Sequence, residues 1–254
     1  MMIELPLLTP HDIAFPDVEL ALEEPNGLLA FGGDLSCARL RNAYRLGIFP
    51  WYSQGEPILW WSPNPRAIIT YERFHISKSL RKWLSKHSYR VTVNNAFDEV
   101  IKACSSIPRS PIKHEDGTES TNGVWINANM VSAYKALHRE GAAHSIEVWE
   151  GNQLVGGLYG VCIGNVFCGE SMFHKRTNAS KLAFVSLVQF CQTQGIHFID
   201  CQLENPYLKS FGCFAVTREE FRQRLQHAYT TPYSDDIWQP RELAPVPLAY
   251  WNVL

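Results

Sequence analysis

No stretch of this 254-residue chain approaches the ~20 consecutive apolar residues that a membrane-spanning helix requires. Its opening residues, Met1-Met2-Ile3-Glu4-Leu5-Pro6, carry no basic n-region and no long apolar segment, so no signal peptide and a cytoplasmic location are expected. Cys-x-x-Cys pairs are absent too. The cysteines Cys37, Cys104, Cys162, Cys168, Cys191, Cys201 and Cys213 are scattered and odd in number, which argues against a disulfide framework and a zinc site. Nine histidines show no paired ligand spacing, so no metal is expected. Excess positive charge is also missing: 23 Lys and Arg face 25 Asp and Glu, so the overall balance does not advertise a polyanion partner. Repeats and low-complexity tracts are lacking. What remains, with 46% hydrophobic residues, is an ordinary globular chain able to bury a sizeable core in one large or two modest domains.

The first third is rich in glycine, proline and aromatic residues. Gly27-Leu28-Leu29-Ala30-Phe31-Gly32-Gly33-Asp34-Leu35-Ser36 is followed by Gly47-Ile48-Phe49-Pro50-Trp51-Tyr52 and Trp60-Trp61-Ser62-Pro63. Gly-Gly and Ser-Pro steps force tight turns, holding Trp and Tyr rings on an irregular scaffold where they stack on a base or line an apolar pocket. A helix is expected over 35–47, capped by Ser36 and ended by Gly47. The two prolines of Trp60-Trp61-Ser62-Pro63-Asn64-Pro65-Arg66 break any continuing element and mark a join, so residues 1–64 are expected to form a small N-terminal domain and 65–254 a larger one.

Beyond the join, alternation and helical periodicity predict a strand over 68–71, a helix over 77–86, a strand over 89–93 and a helix over 96–105. A polar, turn-rich loop covers 107–122. A helix over 129–140 carries Met130, Ala133, Tyr134 and Leu137 as one apolar stripe. Strands over 143–150, 153–162 and 166–172 then form an antiparallel meander, before a long helix over 179–193 and a strand over 198–202. This order is α+β.

Two features carry charge chemistry. Between Glu72 and Arg90 the chain holds Arg73, Lys78, Arg81, Lys82, Lys86 and Arg90 against Glu72 alone, a one-sided patch suited to a polyanion. On the strand over 198–202, alternation puts Asp200 and Gln202 on one face and Cys201 on the other. An acidic acceptor beside an amide that both donates and accepts makes a plausible relay. Glu170, at the end of an apolar strand, would be costly if unpaired.

The N-terminal block resembles the leucyl/phenylalanyl-tRNA–protein transferase family. So do Gly156-Gly157-Leu158-Tyr159-Gly160, Phe167-Cys168-Gly169-Glu170-Ser171-Met172-Phe173, Ala179-Ser180-Lys181, Phe198-Ile199-Asp200-Cys201-Gln202 and Asn205-Pro206. The resemblance spans nearly the whole chain. It implies an acetyltransferase-like (GNAT-like) fold for 65–254 and an enzyme that moves Leu or Phe, and also Met, from charged tRNA. The acceptor would be the N-terminal Arg or Lys of a protein, marked thereby for degradation by the N-end rule pathway. It also implies a monomer without metal or cofactor. Its catalytic pair falls on Asp200 and Gln202, with Glu170 beside them. Trp51 and Trp125 match rings around the terminal adenosine. Leu158, Phe184 and Leu187, with Phe167, match the aminoacyl pocket, and Lys78, Arg81, Lys82 and Lys86 match a helix that grips the acceptor stem.

Two other readings compete. An acyl-CoA-dependent N-acyltransferase would need glycines to let backbone approach a pyrophosphate, and Arg176-Thr177-Asn178-Ala179-Ser180-Lys181 has none. A non-catalytic tRNA-binding module explains the basic helix but not the convergence of Glu170, Asp200 and Gln202.

Overall fold

The computed structural model describes residues 5–10, 12–106, 112–113, 119–120, 126–246 and 252–253. Trp125 and most of the expected loop over 107–122 lie outside the described residues. Strands β1 (Leu7–Leu8), β2 (Leu28–Gly32), β3 (Phe49–Pro50) and β4 (Leu59–Trp61) form a small sheet in the order β1-β2-β4-β3. Helix α1 (Cys37–Arg45) links β2 to β3. The Ser36 side chain accepts from the Arg39 backbone N–H, and Gly47 follows the helix at φ 76°, so both expected end signals operate.

Next along the chain come β5 (Arg66–Ile69), β6 (His75–Ile76), α2 (Lys78–Leu84), β7 (Arg90–Val93), α3 (Phe97–Ser106), β8 (Ile112–Lys113), β9 (Glu119–Ser120) and α4 (Ala128–Arg139). The meander follows as β10 (Ala143–Glu150), β11 (Gln153–Ile163) and β12 (Val166–His174), then α5 (Ala179–Thr193) and β13 (Phe198–Gln202). Past residue 206 the sequence patterns assign no element, yet the chain adds α6 (Pro206–Lys209), β14 (Phe214–Val216), α7 (Arg218–Thr230), β15 (Arg241–Glu242) and β16 (Asn252–Val253). Eight strands join in the order β14-β5-β13-β12-β11-β10-β7-β15. The meander is antiparallel as expected, while β12 and β13 pair in parallel. The molecule is thus a mixed α/β protein with two main sheets and, among the described residues, seven α-helices.

Side chains alternate across the large sheet and feed two cores. Leu158 and Phe167 face α5, joining Phe184, Val185, Leu187 and Val188. Tyr159 and Cys168 face the other way, joining α3, α4, α1 and the small sheet through Phe97, Tyr134, Leu40 and Trp60. The expected join at 60–66 therefore connects two sheets that share a core. The glycine run on β11 serves close packing: a Cβ on Gly160 would lie 2.3 Å from the Cys168 carbonyl oxygen, and one on Gly156 would lie 2.5 Å from the Ala179 Cβ.

Candidate active site

Strands β12 and β13 run side by side only from Val166 opposite Phe198 to Cys168 opposite Asp200, and then part. Both strands are irregular at the fork. Against β11, Gly169 pairs with Gly160 and Ser171 with Tyr159, leaving Glu170 as an extra residue. Against β5, Asp200 pairs with Ile68 and Gln202 with Ala67, leaving Cys201 extra. Such bulges bend a strand and re-aim its side chains. Gln202 adopts the left-handed region at φ 57°, so the regular alternation expected over 198–202 stops at Asp200. The two residues are nonetheless brought together: Asp200 Oδ1 accepts from the Gln202 backbone N–H at 3.0 Å.

Asp200 is 3% exposed and takes both its ion-pair contacts from Arg66, Nε to Oδ1 at 2.8 Å and Nη2 to Oδ2 at 2.7 Å. The Cys168 thiol donates to Oδ2 at 3.3 Å. In turn the Gln202 side-chain amide donates to Cys168 Sγ at 2.9 Å, to the Gly169 carbonyl at 2.8 Å and to Glu170 Oε1 at 3.5 Å, bridging the fork. Burial pushes the Cys168 thiol well up, with the Asp200 and Glu170 charges adding to it, so this sulfur is a hydrogen-bond donor and not a thiolate nucleophile. Cys201 is raised as well, first by a hydrogen bond with Cys213 and then by burial.

Glu170 is half-buried and receives Tyr44 of α1 at Oε1, 2.8 Å, and Tyr134 of α4 at Oε2, 3.1 Å. The two hydroxyls lie 2.5 Å from each other. Three contacts close this ring, but the tyrosines bring only two protons. A third proton is needed to fill all three at once, and Glu170 is the group able to hold it. Burial raises its carboxyl to about 7; the Asp200 charge adds to the rise, while the Tyr44, Tyr134 and Cys168 hydrogen bonds oppose it. Both tyrosines are pushed well up, mainly by burial and then by Glu170, and remain protonated donors.

The remaining sequence-predicted residues occupy other places. Leu158, Phe167, Phe184 and Leu187 sit together in the core on the α5 face, all at most 3% exposed. Trp51 follows β3, is 38% exposed and tilts against Trp61 at 5.5 Å. Lys78 and Lys82 are exposed on α2, Arg81 is half-buried there, and Lys86 is exposed just after it. Sequence reasoning missed Arg66, Tyr44, Tyr134 and Cys168 as parts of the site. Tyr134 was legible only as an apolar-stripe residue, because helical periodicity reports its ring and is silent about its hydroxyl.

A carboxyl poised near neutrality, set in a fork between strands and ringed by donors, is a group able to take up and give back a proton near neutral pH. The comparisons with known proteins give the class: the family model described as "Leucyl/phenylalanyl-tRNA protein transferase" matches residues 68–226, and that family's N-terminal domain model matches residues 33–64. The molecule is therefore an aminoacyltransferase enzyme. A leucyl/phenylalanyl-tRNA–protein transferase of Pseudoalteromonas atlantica is 54% identical over 242 residues, covering 95% of this chain and 99% of its own. One from Pectobacterium carotovorum is 48% identical over 237 residues, covering 93% and 96%. The chain belongs to the leucyl/phenylalanyl-tRNA–protein transferase family. Among solved structures, L-PGS from Bacillus licheniformis aligns with 79% of this chain and 61% of its own at 11% identity and a TM-score of 0.36, too loose a likeness to argue from.

Proposed function

We propose that this protein transfers Leu, Phe or Met from the 3′ end of charged tRNA to the α-amine of an N-terminal Arg or Lys, marking the acceptor for N-end rule degradation. It acts as a cytoplasmic monomer, without metal or cofactor. The observation that carries the chemistry is the near-neutral Glu170 at the fork, within reach of Gln202. An α-amino group titrates at about 7.7–8.0, so a proton passes from the acceptor's ammonium to Glu170 with little free-energy difference. The neutral amine attacks the ester carbonyl, forming the new C–N bond. As the ester C–O bond breaks, the nitrogen gives up a second proton to the Glu170–Tyr44–Tyr134 ring, which passes one proton to the departing ribose oxygen and releases the other to solvent, restoring the Glu170 carboxylate. Gln202 and Asp200 complete the catalytic set by fixing the fork around the reacting groups.

On this reading Trp51 and Trp125 bind the terminal adenosine, and Tyr52, the neighbour of Trp51, lines with Leu35, Ile58 and Ala133 a cleft of about 530 Å³. The donor side chain takes the apolar side of the fork at Leu158, Phe167, Phe184 and Leu187. Lys78, Arg81, Lys82 and Lys86 hold the acceptor stem. We read residues 65–254 as an acetyltransferase-like domain, because an antiparallel meander, a long helix and a parallel strand that splays from its neighbour occur in that order. Residues 1–64 are the smaller domain.

The test incubates the protein with labelled Leu-tRNA and a peptide beginning with Arg. Label is expected in that peptide and not in one beginning with Glu. Glu170→Gln should slow single-turnover transfer by about 10²–10⁴, with tRNA binding nearly unchanged. Full-rate transfer by that variant would remove Glu170 from the mechanism. The acyl-CoA alternative predicts CoA binding by calorimetry; none is expected.

A further inference from the structure

We infer that Arg66 is a positioning residue for the transfer reaction, acting through Asp200 to hold Gln202 across the fork. The inference rests on the aminoacyl-transfer reading above and assigns a division of labour within it. A carboxylate offers about four lone-pair positions, and Asp200 has a donor on each: Arg66 Nε and the Gln202 backbone N–H on Oδ1, Arg66 Nη2 and the Cys168 thiol on Oδ2. No position is left for an incoming amine. Asp200 is a fixed anion that ties the left-handed Gln202 to the end of β13, and the Gln202 amide then reaches Gly169 and Glu170 on β12.

Arg66 itself is built in from three directions. It stands at the start of β5, 1% exposed, with its guanidinium carbon 4.8 Å from the ring centroid of Phe49 on β3 and 4.8 Å from that of Phe221 on α7. Rings on two elements prevent the planar group from turning, so its fork geometry is imposed on Asp200. Stability does not account for the arrangement. Buried ion pairs are often no better than an apolar replacement, and Arg66 Nη1 is buried without a hydrogen-bond partner, an unfavourable feature that the fold retains. Placement accounts for it: an error of about 1 Å in a reacting geometry can cost about 10²-fold in rate.

Transfer by the wild-type protein is established first, and its absence would sink the aminoacyl-transfer reading without bearing on Arg66. Then Arg66→Lys, Arg66→Gln, Asp200→Asn and the double variant Arg66→Gln/Asp200→Asn are compared. Each is checked for cooperative melting, for its Kd toward Leu-tRNA, and for its single-turnover rate at saturating Leu-tRNA and peptide. Both Arg66 variants should be about 10²-fold slower with Kd within about threefold of wild type, Arg66→Lys being the less affected. The double variant should be no slower than its slower parent, because residues acting as one unit are not additive. The proposal is overturned if the losses multiply, if a folded Arg66 variant stays within about threefold of the wild-type rate, or if rate falls only as the folded fraction falls. Should Arg66→Gln alone fail to fold, the double variant, which removes both charges together, and Arg66→Lys decide. Failure of all three to fold would assign the pair to stability and overturn it.

Discussion

At the scale of single residues, Glu170 combines the chemical role proposed for it with a cost to the fold. Its carboxyl sits at about 7 in the folded protein against an ordinary 4.5. Between those values the folded state holds the proton more tightly than the unfolded chain, so this group's contribution falls as pH rises. Stability is least affected below about pH 4.5 and has lost most by pH 8, by at most about 3 kcal/mol. The charged and titratable groups facing it are Tyr44, Tyr134, Cys168, Asp200 and, through Asp200, Arg66. Glu170→Gln keeps the shape and removes the titration. In urea unfolding it should gain on the wild type by about 2 kcal/mol between pH 5 and pH 8. A gap that shrinks or stays constant over that interval would remove the near-neutral assignment, whatever the variant does to activity.

At the scale of elements, α2 and its flanks show how a one-sided charge pattern is distributed over the fold. Of the six basic residues between 72 and 90, Arg73 lies over the Phe214 ring at 4.0 Å and Arg90 over the Trp149 ring at 5.0 Å. Lys78, Arg81 and Lys82 on α2, with Lys86 after it, carry the expected polyanion footprint. Ser77 caps the helix by accepting from the Leu80 N–H at 3.2 Å, and Leu80 is its buried anchor. Replacing Arg81 and Lys82 together by Ala should weaken Leu-tRNA binding and flatten the slope of log Kd against log salt by between one and two, since each lost phosphate contact removes about 0.7–0.9. Fluorescence titrations at several salt concentrations measure this. An unchanged slope would move the tRNA grip to another surface.

At the scale of the whole molecule, the small sheet and α1 are inseparable from the site. Leu29, Leu40 and Trp60 share one buried cluster with Phe97, Tyr134, Tyr159 and Phe173, and α1 supplies Tyr44 to the Glu170 ring. Cutting the chain at the expected boundary would expose that face of the large sheet. A fragment of residues 65–254 is therefore expected to lack cooperative thermal unfolding and to bind a hydrophobic dye, an outcome calorimetry and fluorescence would show directly. Cooperative melting of the fragment near the full-length temperature would make the boundary a true division of stability.

The sequence by itself determined what local physics dictates. The cap at Ser36, the glycine after α1, the meander over 143–172, the long helix over 179–193 and the strand over 198–202 are each specified within a window of neighbouring residues. It also determined which residue types gather in the motifs, and hence the family. Tertiary structure alone decided how they meet. Nothing in the alternation announces the extra residues Glu170 and Cys201, because a bulge is a mismatch between two strands and has no period in either one. Tyr44 and Glu170 are 126 positions apart, and Arg66 and Asp200 are 134 apart. Their pairing follows from strand order and the closing of two cores, which no single stretch of chain encodes. So a lone arginine after a proline and a tyrosine on an apolar stripe read as background in the sequence. They become parts of a site when the fork between β12 and β13 brings donors, anion and near-neutral carboxyl into one enclosed network.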